Sequence, residues 1–302
     1  MKRCVAAVIL IVLVAGLSPV YGTVYKLYYL GGQSNMDGYG SVGELPGGLK
    51  VPPEGVLIYQ SSAADDNSPV NGAGKWSSLL PGHGRGFKSD GVTNTYSDRF
   101  GVELTLARRL RELNGSRPVA LLKYSKGGTS IHVDAARYFG CWDPDFDKGD
   151  GVNQYDHFLA TLRRAMSVRD IDGDGQDDML VPAGIVWMQG ESDAGDETIA
   201  RQYEANLKRL MDLVRAALRV DDLPVVVGRI SDSGKDDDGQ IWDYGSVVRR
   251  AQADFCRKDA CAALVTSTDG YGYSDKWHYD TVGYIDLGIR FADALHTLEQ
   301  KK

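Results

Sequence analysis

Three side chains of this protein could together transfer an acyl group, and the sequence places them near its two ends. Ser34 lies in Gly31-Gly32-Gln33-Ser34-Asn35-Met36, just after the apolar run from Val24 to Leu30. Asp275 and His278 stand three residues apart in Asp275-Lys276-Trp277-His278, just before a helical pattern. A serine hydroxyl is a poor nucleophile until a neighbouring base takes its proton, and that base works best when a carboxylate orients it. Nucleophile, orienting acid and base thus occur in the order Ser, Asp, His. The rest of the chain must fold so that they meet.

The elements able to bring them together are legible as apolar runs. Val24 to Leu30, Pro118 to Tyr124, Val181 to Met188, Leu223 to Ile230 and Ala262 to Thr266 are continuously rather than alternately apolar. A sheet covered on both faces demands that pattern. Phe100, Leu104, Ala107 and Leu110 repeat at helical spacing, as do Ile199, Tyr203, Leu207, Leu210 and Val214. Ile285, Gly288, Ala292 and Leu295 do the same near the end. Strand alternating with helix predicts an α/β fold with a mostly parallel sheet and right-handed crossovers. Ligands of such sheets bind at the carboxyl ends of the strands. Ser34, Gly127-Gly128 and Gln189-Gly190-Glu191 each follow one of the runs, so three motifs converge on one edge. The Gly-, Pro-, Ser- and Asn-rich stretch 37–97 is longer than an ordinary connection and reads as a loop insertion on the substrate-facing wall.

Several blocks, in order, resemble those of the SGNH-hydrolase superfamily. They are Gly32-Gln33-Ser34-Asn35-Met36, Lys123-Tyr124-Ser125-Lys126-Gly127-Gly128-Thr129-Ser130, Trp187-Met188-Gln189-Gly190-Glu191-Ser192-Asp193, and the Asp275/His278 step. Within it they are most similar to the carbohydrate acetylesterases: the sialate O-acetylesterase-like domain and the family 6 acetylxylan esterases. Phe100-Gly101-Val102-Glu103-Leu104 also resembles that branch's first long helix. The resemblance implies a three-layer α/β/α sandwich of flavodoxin-like type, one esterase domain over 23–302, and hydrolysis of O-acetyl esters on sugars through an acyl-enzyme. It makes Ser34 the nucleophile, His278 the general base and then acid, and Asp275 the partner that fixes the imidazole tautomer. The oxyanion of the tetrahedral intermediate needs donors aimed at it beforehand. The Ser34 amide is one; Gly128 (or Gly127) is the second, because a missing Cβ lets the backbone approach closely. The Gln189 side chain is the third, where the wider superfamily uses an asparagine. Gln33, Asn35, Gly127 and Glu191 support the site, Glu191 by buttressing its loop. The chemistry calls for no metal or organic cofactor. Two rival readings use the same residues: an SGNH esterase or lipase on non-carbohydrate acyl esters, and a non-catalytic carbohydrate-binding relative.

Other motifs compete for attention. Gly190-Glu191-Ser192-Asp193-Ala194 superficially resembles the nucleophile elbow of the α/β-hydrolases, but Ala194 replaces the final glycine that its sharp turn requires. His83, His132, His157 and His296 have no carboxylate in an equally persuasive context. Asp170, Asp172, Asp174 and Asp178, with Gly175, match a calcium loop at positions one, three, five, nine and six. Val181 stands where the bidentate glutamate would be, so the reading is a structural calcium held weakly, or a solvated acidic turn. Among the tryptophans, Trp187 reads as core, while Trp76 and Trp142, in loops, are the candidate platforms for sugar rings.

Composition sets the compartment and excludes some partners. Lys2-Arg3, the apolar stretch Val5 to Leu17 and the small residues up to Gly22 read as a secretory signal peptide over 1–22, implying a secreted or periplasmic protein. The net charge of −7 argues against a nucleic-acid partner, and no second apolar stretch suits a membrane. Acetylated carbohydrate is the expected partner. Export permits disulfides. Cys256 and Cys261, close in sequence, are the preferred pair, leaving Cys141 free.

Overall fold

The computed structural model describes residues 22–64, 68–148 and 152–301; the leader-like segment lies outside them except for Gly22. Strands in chain order are β1 (Val24–Gly32), β2 (Gly40–Ser41), β3 (Val56–Gln60), β4 (Ser77–Ser78), β5 (Lys88–Ser89), β6 (Asn94–Thr95), β7 (Arg99–Phe100), β8 (Val119–Ser125), β9 (Met179–Met188), β10 (Val225–Gly228) and β11 (Ala262–Val265). The α-helices are α1 (Ser34–Asp37), α2 (Glu103–Leu113), α3 (Gln154–Ser167), α4 (Glu197–Ala200), α5 (Tyr203–Leu218), α6 (Gly245–Lys258) and α7 (Thr281–Glu299). Each of the five apolar runs is a strand of one seven-stranded sheet, ordered β11-β10-β9-β1-β8-β3-β4. Only β4 runs antiparallel. Helices α2 and α7 pack together, while α5 packs on α6 and receives the Tyr155 hydroxyl of α3 at the Leu213 carbonyl. The result is an α/β fold with a mostly parallel sheet, as the alternation of strand and helix predicted.

The order of the strands fixes where the site falls. Leaving aside the β3–β4 edge, the parallel strands follow the flavodoxin-like order, with β1 central and the chain winding to either side of it. Gly32 stands opposite Ser125 of β8 and Met188 of β9. The segments after these three strands therefore leave the sheet at one level, and they begin with Gln33, Lys126 and Gln189. Gly32 itself has φ 141°, and a Cβ there would meet the Met188 carbonyl oxygen at 2.0 Å. Only glycine fits where β1 presses so closely on β9.

Three expectations are corrected. The stretch 37–97 is not all loop: its residues Val56 to Gln60 form β3, fully buried and parallel to β8. Four apolar residues, Val56 to Tyr59, between Pro52-Pro53 and Ser61-Ser62 are too few to show a period against that composition. The helical pattern through Ile199 is broken, since α4 ends at Ala200 and α5 starts at Tyr203; Phe100 belongs to β7, and α2 begins at Glu103. Cys141, Cys256 and Cys261 are all free thiols. Cys256 lies on α6 and Cys261 directly precedes β11, its carbonyl accepting the Val225 amide, so sequence proximity does not bring the sulfurs together.

One buried charge organises the interior behind the site. Lys123 of β8 and Glu103 of α2 are both 0 % exposed and pair at 2.8 Å. The ammonium also donates to the carbonyls of Asp37 (2.9 Å) and His83 (2.8 Å). All three of its hydrogens thus find acceptors, which is the condition under which a buried lysine is tolerated.

Candidate active site

Ser34 opens α1, a single turn whose four residues are all buried. His278 lies at the end of a narrow turn between β11 and α7, closed by the Tyr273–Tyr279 bridge and by Ser274 N–H donating to the His278 carbonyl at 2.9 Å. Both residues line one cavity of about 760 Å³, together with Gln33, Gly127, Gly128 and Glu191. The His278 Nδ1 meets Asp275 Oδ2 at 2.7 Å. Asp275 Oδ1 accepts the amides of Trp277 (2.7 Å) and His278 (2.8 Å). Burial disfavours the Asp275 charge, but the His278 ring and these two amides outweigh it and hold the carboxyl below its ordinary range. One face of the imidazole is covered by Tyr39, stacked at 3.5 Å between centroids and 4° between planes. The ring is thereby held in plane and in tautomer, with Nδ1 donating and Nε2 left over.

The loop after β8 is held from both sides by buried carboxylates. From α1, Asp37 Oδ2 accepts the Gly127 amide at 3.0 Å while Oδ1 accepts the Ser125 hydroxyl. From the β9 loop, Asp193 accepts the amides of Ile131 (3.0 Å) and His132 (2.8 Å). Burial raises both carboxyls, against the hydrogen bonds that favour their charge. The choice between the two glycines is thereby narrowed: the Gly127 N–H is engaged by Asp37, and the Gly128 N–H is not. Gly128 has φ 79°, and a Cβ there would lie 2.7 Å from the Phe139 ring. Only glycine turns the loop in this way.

Gln189 does not occupy the predicted role. Its Nε2 donates to Asp193 Oδ2 at 2.6 Å and to the Thr129 carbonyl at 3.1 Å, and its Oε1 accepts the Tyr203 hydroxyl at 3.0 Å. Flipping the amide would set its oxygen against two acceptors, so the orientation is chemically fixed. With both hydrogens engaged and the side chain fully buried off the cavity wall, Gln189 braces the β8 loop instead of donating to an oxyanion. Its neighbour Glu191 does reach the cavity. There Oε1 accepts Asn35 Nδ2 at 2.8 Å, and the same nitrogen donates to the Trp277 carbonyl at 3.2 Å. Asn35 thus links the β9 loop to the turn carrying Asp275 and His278. Gln33 Oε1 accepts the amides of Gly190 (3.3 Å) and Ser192 (3.4 Å), tying the residue before the nucleophile to the same loop.

Two further expectations change. Trp76 and Trp142 are core residues, 7 % and 0 % exposed, with their indole N–H groups donating to the Ala165 carbonyl and the Thr129 hydroxyl. Trp242 and Trp277 line the cavity instead. Of the acidic loop, Asp170, Asp172 and Asp174 bring carboxylate oxygens within 4.8 Å of one another. Asp178 is elsewhere engaged, accepting the amides of Thr23 (2.9 Å) and Ile171 (2.8 Å). The loop precedes β9 at the amino edge of the sheet, opposite the cavity. Sequence reasoning missed Asp37, Tyr39 and Asp193; an acidic residue beside each glycine-rich block was the only available signal.

A flavodoxin-like sheet with a serine after β1 and an Asp-His turn before the last helix defines an SGNH-like hydrolase. Residues 24–297 match the family described as carbohydrate esterase, sialic acid-specific acetylesterase. The chain belongs to that family, whose members are serine esterases. Among solved structures it is similar to an Arabidopsis thaliana protein, with 20 % identity, a TM-score of 0.60, and 90 % of this chain and 98 % of that one covered. It is similar to a carbohydrate acetylesterase from Xanthomonas citri at 15 % identity and TM-score 0.61, over 92 % of this chain and 57 % of that one. NanS gives 13 % identity and TM-score 0.59, over 94 % and 100 %. At such identities the likeness is one of fold. No curated protein matches the chain.

Proposed function

We propose that this chain is a secreted esterase that removes O-acetyl groups from carbohydrate through an acyl-enzyme on Ser34. The observation that carries the reading is the His278–Asp275 hydrogen bond beside a cavity that also holds Ser34. Asp275 accepts from Nδ1, so Nε2 is the nitrogen left to take the serine proton. The Ser34 oxygen attacks the acetyl carbonyl, and the resulting oxyanion lies against the amides of Ser34 and Gly128. His278 returns the proton to the leaving sugar oxygen, and water then repeats the sequence on the acetyl-enzyme to release acetate. Replacing Ser34 by Ala should lower p-nitrophenyl acetate hydrolysis by about 10⁴-fold or more with an unchanged melting temperature. Near-normal turnover would sink the assignment. Activity should also fall steeply along a series of longer acyl chains; a preference for long chains would favour the lipase-like reading.

The charge of the cavity supports an acidic sugar as the acetylated unit. Arg85, Lys88 and Arg137 line it and form no ion pair among the described residues. In a chain of net charge −7, these cations, which share the cavity with Asp37 and Glu191, favour a carboxylate-bearing substrate, as the family's sialic acids are. Turnover of an acetylated acidic sugar should therefore weaken with added salt, while that of a neutral one should not. Secretion rests on the leader-like segment 1–22; exported protein beginning at Thr23 is the expected result of N-terminal sequencing.

A further inference from the structure

The cavity wall opposite these cations in character holds an acid and two indoles. Glu191, Trp242 and Trp277 line it with Ser34, Ser192 and His278. Glu191 is 2 % exposed, yet its Oε2 has no hydrogen-bond partner among the described residues. An unsatisfied buried polar atom destabilises the fold, so a ligand that donates to it recovers a penalty already present. Trp277 is 48 % exposed, unusual for a side chain of that apolar area. The backbone of Trp242 is pinned by the Asp232 carboxylate, which accepts the amides of Ile241 and Trp242, both at 2.9 Å. Ser233 donates to the Lys276 carbonyl at 2.7 Å, which joins the loop carrying one indole to the turn carrying the other.

A sugar ring presents an apolar C–H face and a rim of hydroxyl donors. Indole faces cover the first, and a free carboxyl oxygen accepts from the second. We propose that Glu191, Trp242 and Trp277 form a sugar-ring subsite beside Ser34, in which Glu191 Oε2 accepts a ring hydroxyl and the indoles cover the ring. This rests on the carbohydrate reading above and adds to it the residues that hold the ring.

The experiment compares ethyl acetate, which has neither ring nor hydroxyl, with two sugars: O-acetylated N-acetylneuraminic acid and acetylated xylo-oligosaccharide. Trp242→Ala should raise KM for the better sugar by about tenfold, leave its kcat near normal, and change ethyl acetate turnover less than about twofold. Trp242→Phe, which keeps the packing, should shift KM the same way by less. Glu191→Gln places an amide donor where an acceptor is required and should also raise KM for the sugar. Equal losses on both substrates, or no change on the sugar, would overturn the subsite while leaving the esterase reading intact. Wild-type turnover of ethyl acetate without turnover of either sugar would instead overturn the carbohydrate reading on which the subsite stands.

Discussion

The two arms of the site are built on different principles. The arm that carries the proposed nucleophile (the nucleophile arm), Gly32 to Asp37 with the loop after β8, grows from the centre of the sheet. Lys123, Asp37 and Asp193 anchor it from inside, none more than 7 % exposed. The arm that carries the proposed base (the base arm), Tyr271 to Asp280, is a surface turn with Asp275 side-chain exposure of 42 % and Trp277 exposure of 48 %. It is tied by Asn35 to the Trp277 carbonyl, by Ser233 to that of Lys276, and by Lys235 to those of Tyr273 and Asp275. The difference suits the proposed chemistry. Oxyanion donors act only if they are already aimed when charge develops, which a backbone locked by buried carboxylates provides. A base that takes a proton and then delivers it to a different oxygen needs a defined tautomer but tolerates a more adjustable mount.

The largest way to break this comparison is to remove the anchor of the nucleophile arm. Glu103→Ala would leave the Lys123 ammonium buried with only carbonyl partners, and a stability loss of about 3–5 kcal/mol is expected in urea unfolding. A loss below about 1 kcal/mol would mean that the arm is not held from within. The next effect is at the joint between the arms. Asn35→Ala removes the links to Glu191, the Trp277 carbonyl and the Tyr284 hydroxyl together. It should cost about 1–3 kcal/mol and lower kcat by roughly 10–100-fold through misplacement of His278. An unchanged kcat would show that the base arm positions itself.

What could be read from the sequence divides along the same line. The strands at 24–32, 119–125 and 179–188 declare themselves by continuous apolarity, and with them the edge where Ser34 and Gly128 emerge. The adjacency of Asp275 and His278 is local, so their hydrogen bond was legible too. The direction of a side chain at a strand end was not. Gln189 is turned from the cavity by Asp193 in its own loop and by Thr129, a partner that only the tertiary fold supplies. The tryptophans fail for the same reason. Trp76 and Trp142 sit in loop-like composition yet fold onto the sheet, whereas Trp277 is left exposed and Trp242 half-buried at the cavity by the turns that carry them. The strand β3 escaped because four apolar residues carry no period.

A smaller effect tests whether Glu191 carries a charge cost. Burial raises its carboxyl above the ordinary value of 4.5, with Asn35 opposing. Between pH 4.5 and its raised value in the folded protein, the native state holds this proton where the unfolded chain has released it, so stability falls with pH across that window and then levels off. Glu191→Gln removes that slope. Its melting temperature relative to the parent should climb with pH across that window; a constant difference would show that the burial has no such cost.

The smallest effect bears on the mount of the base arm alone. Ser233 is half-buried, but its hydroxyl bond to the Lys276 carbonyl lies at the surface and competes with water. Ser233→Ala should leave stability within about 0.5 kcal/mol. If the turn is as adjustable as its exposure implies, kcat should fall by less than about tenfold, since Asn35 and the Asp275 cap still fix the ring. A loss as large as that of Asn35→Ala would mean that the base arm is as rigidly determined as the nucleophile arm. The contrast between a buried, fixed oxyanion loop and an adjustable base would then fail.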